Sequence, residues 1–200
     1  MRGSNYNYGD GLKMALDLGA MPWGHWGGCH ATPIVAEAPD YGIRSLTDKT
    51  NRLSYPYGVM LNAEGKRWVD EGADFNAFTY AKYGGLILKQ SGGKVCQIFD
   101  SKVVDMLEPR YKTSEPLKSD TLEGLVKQLP VNQERALRTL NEYNKAAEKG
   151  GPFNPAALDG LRQLRLLPRD LANDDGAQLE AHVAGGLLHV PALCHAVVTR

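Results

Sequence analysis

Apolar and polar positions alternate or recur at helical spacing over the middle hundred residues, and the two periods are interleaved. Asn132 precedes a stretch to Lys149 in which Leu137, Leu140 and Tyr143 fall on one face, which predicts a capped amphipathic helix. A shorter helix is expected from a cap at Ser119 or Asp120 through Leu129. Phe78 to Gln90 has helical composition, weakened by Gly84 and Gly85. Lys94 to Phe99, with Val95, Cys96, Ile98 and Phe99, reads as a strand. Gly58–Asn62 and Lys66–Asp70 read as the arms of a hairpin, turning at Ala63-Glu64-Gly65, where Gly65 supplies a positive φ. Near the start, Asp10 caps a short helix Gly11–Leu18 ended by Gly19, with Leu12, Ala15 and Leu16 on one face. Helices and strands in this order define an α+β fold class.

Composition narrows the function. Two hundred residues with 42% apolar and 23% charged side chains suffice for one domain with a core. Lys+Arg and Asp+Glu are balanced at 23 each, which argues against a nucleic-acid or anionic-membrane binder. No apolar run approaches the roughly 20 residues needed to cross a bilayer. The segment Met1–Asn5 has no apolar signal region, and Cys29, Cys96 and Cys194 are too dispersed for a disulfide framework. A reducing, cytoplasmic setting is expected.

Gly19 to Gly42 is a long Gly-rich stretch that also holds Trp23, His25, Trp26, Cys29 and His30, a composition that points to function rather than connection. A histidine in such a loop is well placed to bind a carboxylate through charge-assisted hydrogen bonds. His25, Cys29 and His30 do not have the spacing of a closed zinc site, so no metal is expected. Tyr8-Gly9-Asp10-Gly11 opens a helix with glycines that let a ligand approach the backbone, but it lacks the third glycine of a dinucleotide fingerprint. Glu71 and Asp74 are candidate acids, bases or backbone anchors. Phe78, Tyr80 and Tyr83 read as core.

Taken together, these segments resemble the flavoprotein subunits of the fumarate reductase and succinate dehydrogenase family, and most nearly its tricarballylate dehydrogenase group. Gly9-Asp10-Gly11-Leu12-Lys13 resembles the family's flavin-contacting T-G-D-G stretch, with Tyr8 in place of Thr. Gly28-Cys29-His30-Ala31-Thr32 resembles its substrate-histidine stretch, often A-H-P-T. Asn62-Ala63-Glu64-Gly65-Lys66-Arg67 through Glu71 resembles the hairpin N-x-E-G-x-R-F-x-N-E. Gln97–Asp100 and Asp120–Leu125 match later pieces, and the likeness runs from residue 2 to about residue 159.

The resemblance implies a fragment: residues 1–44 as one edge of an FAD-binding domain, 45–150 as the capping domain, and 151–200 as a divergent or frameshifted tail. It implies FAD as cofactor, with Gly9, Asp10 and Gly11 facing the flavin, and His30 and Thr32 binding a small di- or tricarboxylate. The implied reaction is oxidation of tricarballylate to cis-aconitate by hydride transfer to flavin, with an electron acceptor to reoxidise it. Fumarate or succinate chemistry is the alternative, and a non-catalytic truncated product or a self-contained binding module are the others.

Two departures matter. The family's acid Arg is expected just after Gly72-Ala73-Asp74-Phe75, where this chain has Asn76. An amide cannot replace a guanidinium as proton carrier, so either the acid is lost or another group such as Arg67 serves. The last forty residues hold nine Leu and six Ala but no Lys, Ile, Met or aromatic residue, unlike everything before them. That tail is expected to be irregular, although Leu164, Leu167 and Leu171 have helical spacing.

Overall fold

The computed structural model describes residues 6–46, 48–148 and, as backbone, 192–198. Five strands form one open sheet: β1 (Ile34–Val35), β2 (Gly58–Leu61), β3 (Lys94–Asp100), β4 (Leu117–Ser119) and β5 (Ala192–Val198). The order is β1-β5-β3-β2, all neighbours are antiparallel, and β3 takes the whole of β5 along one edge. β1 and β4 share the other edge of β5 at opposite ends, Val35 opposite Val197 and Ser119 opposite Ala192. The helices are α1 (Asp10–Asp17), α2 (Asn76–Leu88), α3 (Leu122–Val126) and α4 (Gln133–Glu148).

The alternation along β2 and β3 builds a core on both sheet faces. Val59, Leu61, Cys96 and Ile98 pack against Leu125, Val126, Ala136 and Leu140 of α3 and α4. On the opposite face Met60 and Val95 pack with Tyr55 and with Tyr83 and Ile87 of α2. Successive strand residues point to opposite faces, so strands covered on both sides need apolar residues at nearly every position. One polar exception, Gln97, is fully buried and satisfied: its Nε2 donates to the Arg52 carbonyl at 3.1 Å and its Oε1 accepts from the Tyr111 hydroxyl at 2.6 Å.

Several expectations are met and others corrected. Asn132 caps α4, its Oδ1 accepting the Arg135 N–H at 2.9 Å, and Leu140 is fully buried with Leu137 and Tyr143 packed beside it. Gly65 has φ 72°, and a Cβ there would stand 2.5 Å from the Asn132 carbonyl oxygen, so the turn also seats on α4. The hairpin's second arm is not a strand: only Leu61 and Arg67 bridge, because Glu71 offers its carboxylate to β2 in place of a backbone partner. Thr121, rather than Ser119 or Asp120, caps α3, its Oγ1 accepting the Gly124 N–H at 3.0 Å. Asp10 is the first residue of α1 and makes no capping bond, and Gly9 precedes it at φ 84°.

The largest correction concerns the tail. The expectation of an irregular segment fails at 192–198, which form β5 in the middle of the sheet. Ala-Leu-Cys-His-Ala-Val-Val is a short, mostly apolar run, and such a run bonded on both edges is a sheet interior. Leu164, Leu167 and Leu171 lie outside the described residues.

Candidate functional site

Helix α2 begins at Asn76 because the preceding Phe75 is extended, with φ −53° and ψ 143°. Thr79, Tyr83 and Ile87 turn into the core, and the Tyr55 hydroxyl lies 2.6 Å from Thr79 Oγ1. This fixes a neighbouring stripe of the helix, Asn76, Tyr80 and Gly84, each four residues from the next and so stacked along one face. The chain from His30 to Thr32 lies against that stripe. A Cβ on Gly84 would stand 2.5 Å from the Ala31 carbonyl oxygen and 2.6 Å from the Thr32 nitrogen, so only glycine admits the backbone there. One turn earlier the Tyr80 ring lies 5.2 Å from the His30 ring, centroid to centroid, at a tilt of 40°. The glycine that weakens α2 on propensity is thus what seats the candidate substrate segment.

His30 is exposed, whereas Thr32 is half-buried and its buried Oγ1 has no hydrogen-bond partner among the described residues. A buried hydroxyl without a partner costs about 1–3 kcal/mol, and such groups concentrate where a ligand or water completes the bonding. Asn76 sits one turn from Tyr80, but its amide faces inward and Nδ2 donates to the Leu53 carbonyl at 3.1 Å. The structure therefore gives Asn76 a bond that holds α2 to the segment entering β2.

Arg67 is also engaged. Its Nε donates to Glu71 Oε2 at 2.8 Å, its Nη2 lies 3.7 Å from Asp70 Oδ1, and its guanidinium stands 5.8 Å from the Tyr143 ring centroid. Burial pulls the Arg67 guanidinium down, but the Glu71 charge and hydrogen bond outweigh it and hold the group above its ordinary value. Glu71 is fully buried, and burial pushes its carboxyl up to about 7 against the pull of Arg67 and the Met60 N–H. Of the roles open to Glu71, that of backbone anchor is the one the geometry shows.

Gly9, Asp10 and Gly11 stand apart from this cluster, at the start of a helix with no buried residue. A Cβ on Gly11 would meet nothing within 4 Å. The following stretch is open as well: Leu18 is 91% exposed and Trp23 86%. His25 and Cys29 are exposed, with Gly28 packed on the His25 ring. Among the described residues no three His, Cys, Asp or Glu side chains gather as a metal site would need, and no helix is long and apolar enough to cross a membrane. Tyr80 reads as core from the sequence and does pack against the core, but nothing local reveals that it also meets His30.

No family model matches the chain. Its fold is similar to part of 3-ketosteroid delta1-dehydrogenase from Sterolibacterium denitrificans, solved with 1,4-androstadiene-3,17-dione, at 18% identity and TM-score 0.55 over 98% of this chain and 35% of that one. It is similar also to part of a flavocytochrome c3 fumarate reductase in an open conformation, at 22% identity and TM-score 0.50 over 96% of this chain and 28% of that one. These likenesses show the fold alone, a small α+β arrangement that forms part of those larger proteins, and the chain spans about a third of their length.

Proposed function

We propose that this chain is a piece of an FAD-dependent oxidoreductase that oxidises a small tricarboxylate, tricarballylate to cis-aconitate. The observation that carries the reading is that one helix platform holds an exposed His30 and the segment of Thr32, whose buried hydroxyl has no partner among the described residues. A histidine ring and a hydroxyl two residues apart in the chain suit a carboxylate, since each can donate it a hydrogen bond. Dehydrogenation removes a hydride from one carbon and a proton from its neighbour. FAD, when bound, supplies the two-electron acceptor for the hydride. We assign Gly9, Asp10 and Gly11 to one edge of such a group, where α1 buries no residue and, among the described residues, nothing lies within 4 Å of a Cβ on Gly11. The proton carrier is assigned to none of the described residues, because Asn76 is an amide bonded to Leu53 and Arg67 is held by Glu71.

We read residues 1–44 as an edge of the flavin domain and 45–150 as the capping domain, in a cytoplasmic enzyme that passes its electrons to a separate acceptor. The exposed apolar stretch from α1 to Trp26 favours a chain that is inactive by itself, the non-catalytic alternative. Fumarate or succinate chemistry remains the runner-up for substrate. Titration of the purified chain with tricarballylate, succinate and fumarate, followed by NMR of the His30 ring, tests the reading. Tricarballylate is expected to perturb His30 at the lowest concentration. Stronger perturbation by fumarate or succinate supports the runner-up, and an unresponsive His30 overturns the carboxylate site.

A further inference from the structure

We infer that Tyr80 is a positioning residue, whose ring is the platform that holds the His30 imidazole in place for an incoming carboxylate; the ligand half of this inference rests on the reading above. His30 follows Gly24, Gly27 and Gly28 in a loop with little conformational restraint of its own. An exposed side chain there would lose rotamer freedom on every binding event. The structure removes that cost at two points on one helix face. Gly84 seats the Ala31–Thr32 backbone, and Tyr80, one turn earlier, meets the His30 ring at 5.2 Å.

The platform itself is rigid for a reason outside the site. Tyr80 packs against the cluster of Tyr55, Met60, Tyr83, Ile87 and Val95, which ties α2 to the sheet. An imidazole held through its ring keeps its in-plane N–H groups for a ligand. Tyr80 therefore serves the core and the site at once.

The test uses the purified chain, with the His30 Hε1 resonance identified by its loss in His30→Gln. In the wild type this resonance is expected to be displaced by the Tyr80 ring current. The displacement should persist in Tyr80→Phe, which keeps the ring, and vanish in Tyr80→Leu, which keeps apolar bulk. Titration with tricarballylate is expected to give an unchanged Kd for Tyr80→Phe and a Kd roughly two- to tenfold higher for Tyr80→Leu, the value of one aromatic contact. An undisplaced His30 resonance in the wild type overturns the inference whether or not the variants fold. So does a Tyr80→Leu chain that binds as tightly as the wild type. A displaced resonance with no response to tricarballylate supports the ring contact, while overturning the carboxylate reading and the ligand half of this inference.

Discussion

Glu71 Oε1 accepts the Met60 backbone N–H at 2.5 Å. The bond closes the edge of β2 that faces away from β3, where a neighbouring strand would otherwise pair. Its other oxygen takes the Arg67 Nε–H at 2.8 Å, so one carboxylate joins the strand edge to the loop that leads into α2.

Glu71→Ala is expected to destabilise the fold by about 3–5 kcal/mol, because it takes the nearer of two carboxylates from the buried Arg67 and leaves Asp70, 3.7 Å from Nη2. The double variant Glu71→Ala/Arg67→Met should recover a large share of that loss, since apolar replacement of a buried pair is often neutral. Urea unfolding of the two variants checks this. A double variant no more stable than the single would show that the edge bond to Met60, rather than the charge pair, carries the effect.

The pH dependence of the same group has a definite sign. The folded carboxyl is pushed up to about 7 from 4.5, chiefly by burial. A raised folded value means that the stabilisation is fully present below the unfolded value and is lost as pH rises through the folded one. Wild-type stability relative to the double variant is therefore expected to fall between about pH 4.5 and 7. Unfolding free energies across that range test it, and a rise with pH would show that the ion pair with Arg67 outweighs burial.

The two adjacent glycines of α2 should respond in opposite directions. Gly84→Ala forces a Cβ to within 2.5 Å of the Ala31 carbonyl oxygen and is expected to cost about 1–3 kcal/mol while displacing His30 from Tyr80. Gly85→Ala meets open space and should stabilise by about 0.5–1 kcal/mol through helix propensity alone. Thermal midpoints of both variants, with the His30 resonance as a local readout, decide it.

A chain ending at Pro191 lacks β5 and should unfold at lower urea or associate through the exposed edge of β3. Size-exclusion chromatography and a urea titration measure both outcomes. An unchanged midpoint and a monomeric profile would remove β5 from the stable sheet.

FAD is expected to bind this chain weakly, with Kd above about 1 μM, because on the proposed reading Gly9–Gly11 form only one edge of a flavin site and α1 contributes no buried residue. Flavin fluorescence during titration measures it. Binding in the nanomolar range would show that these residues hold a complete flavin site.

Much of the fold was written locally. The α4 cap at Asn132, the positive φ at Gly65 and the apolar run of β3 each depend on residues within a few positions of one another, which is why periodicity and turn chemistry find them. The second arm of the hairpin, Lys66–Asp70, reads as a strand until Glu71, just beyond it, is seen to meet Met60, eleven residues earlier. The place of β5 depends on pairing with β3 across almost a hundred residues of chain, and composition there pointed the other way. The site divides similarly. The Gly-rich stretch Gly19 to Gly42 makes His30 a candidate, since loop histidines beside glycines suit anions, whereas Thr32 enters only through the resemblance to a substrate-histidine stretch. That Gly84 seats their backbone, Tyr80 carries the His30 ring and Asn76 turns inward to Leu53 was settled only by packing α2 onto the sheet. Side-chain direction along a helix follows from which face the core claims, and the core is assembled from segments distant in sequence.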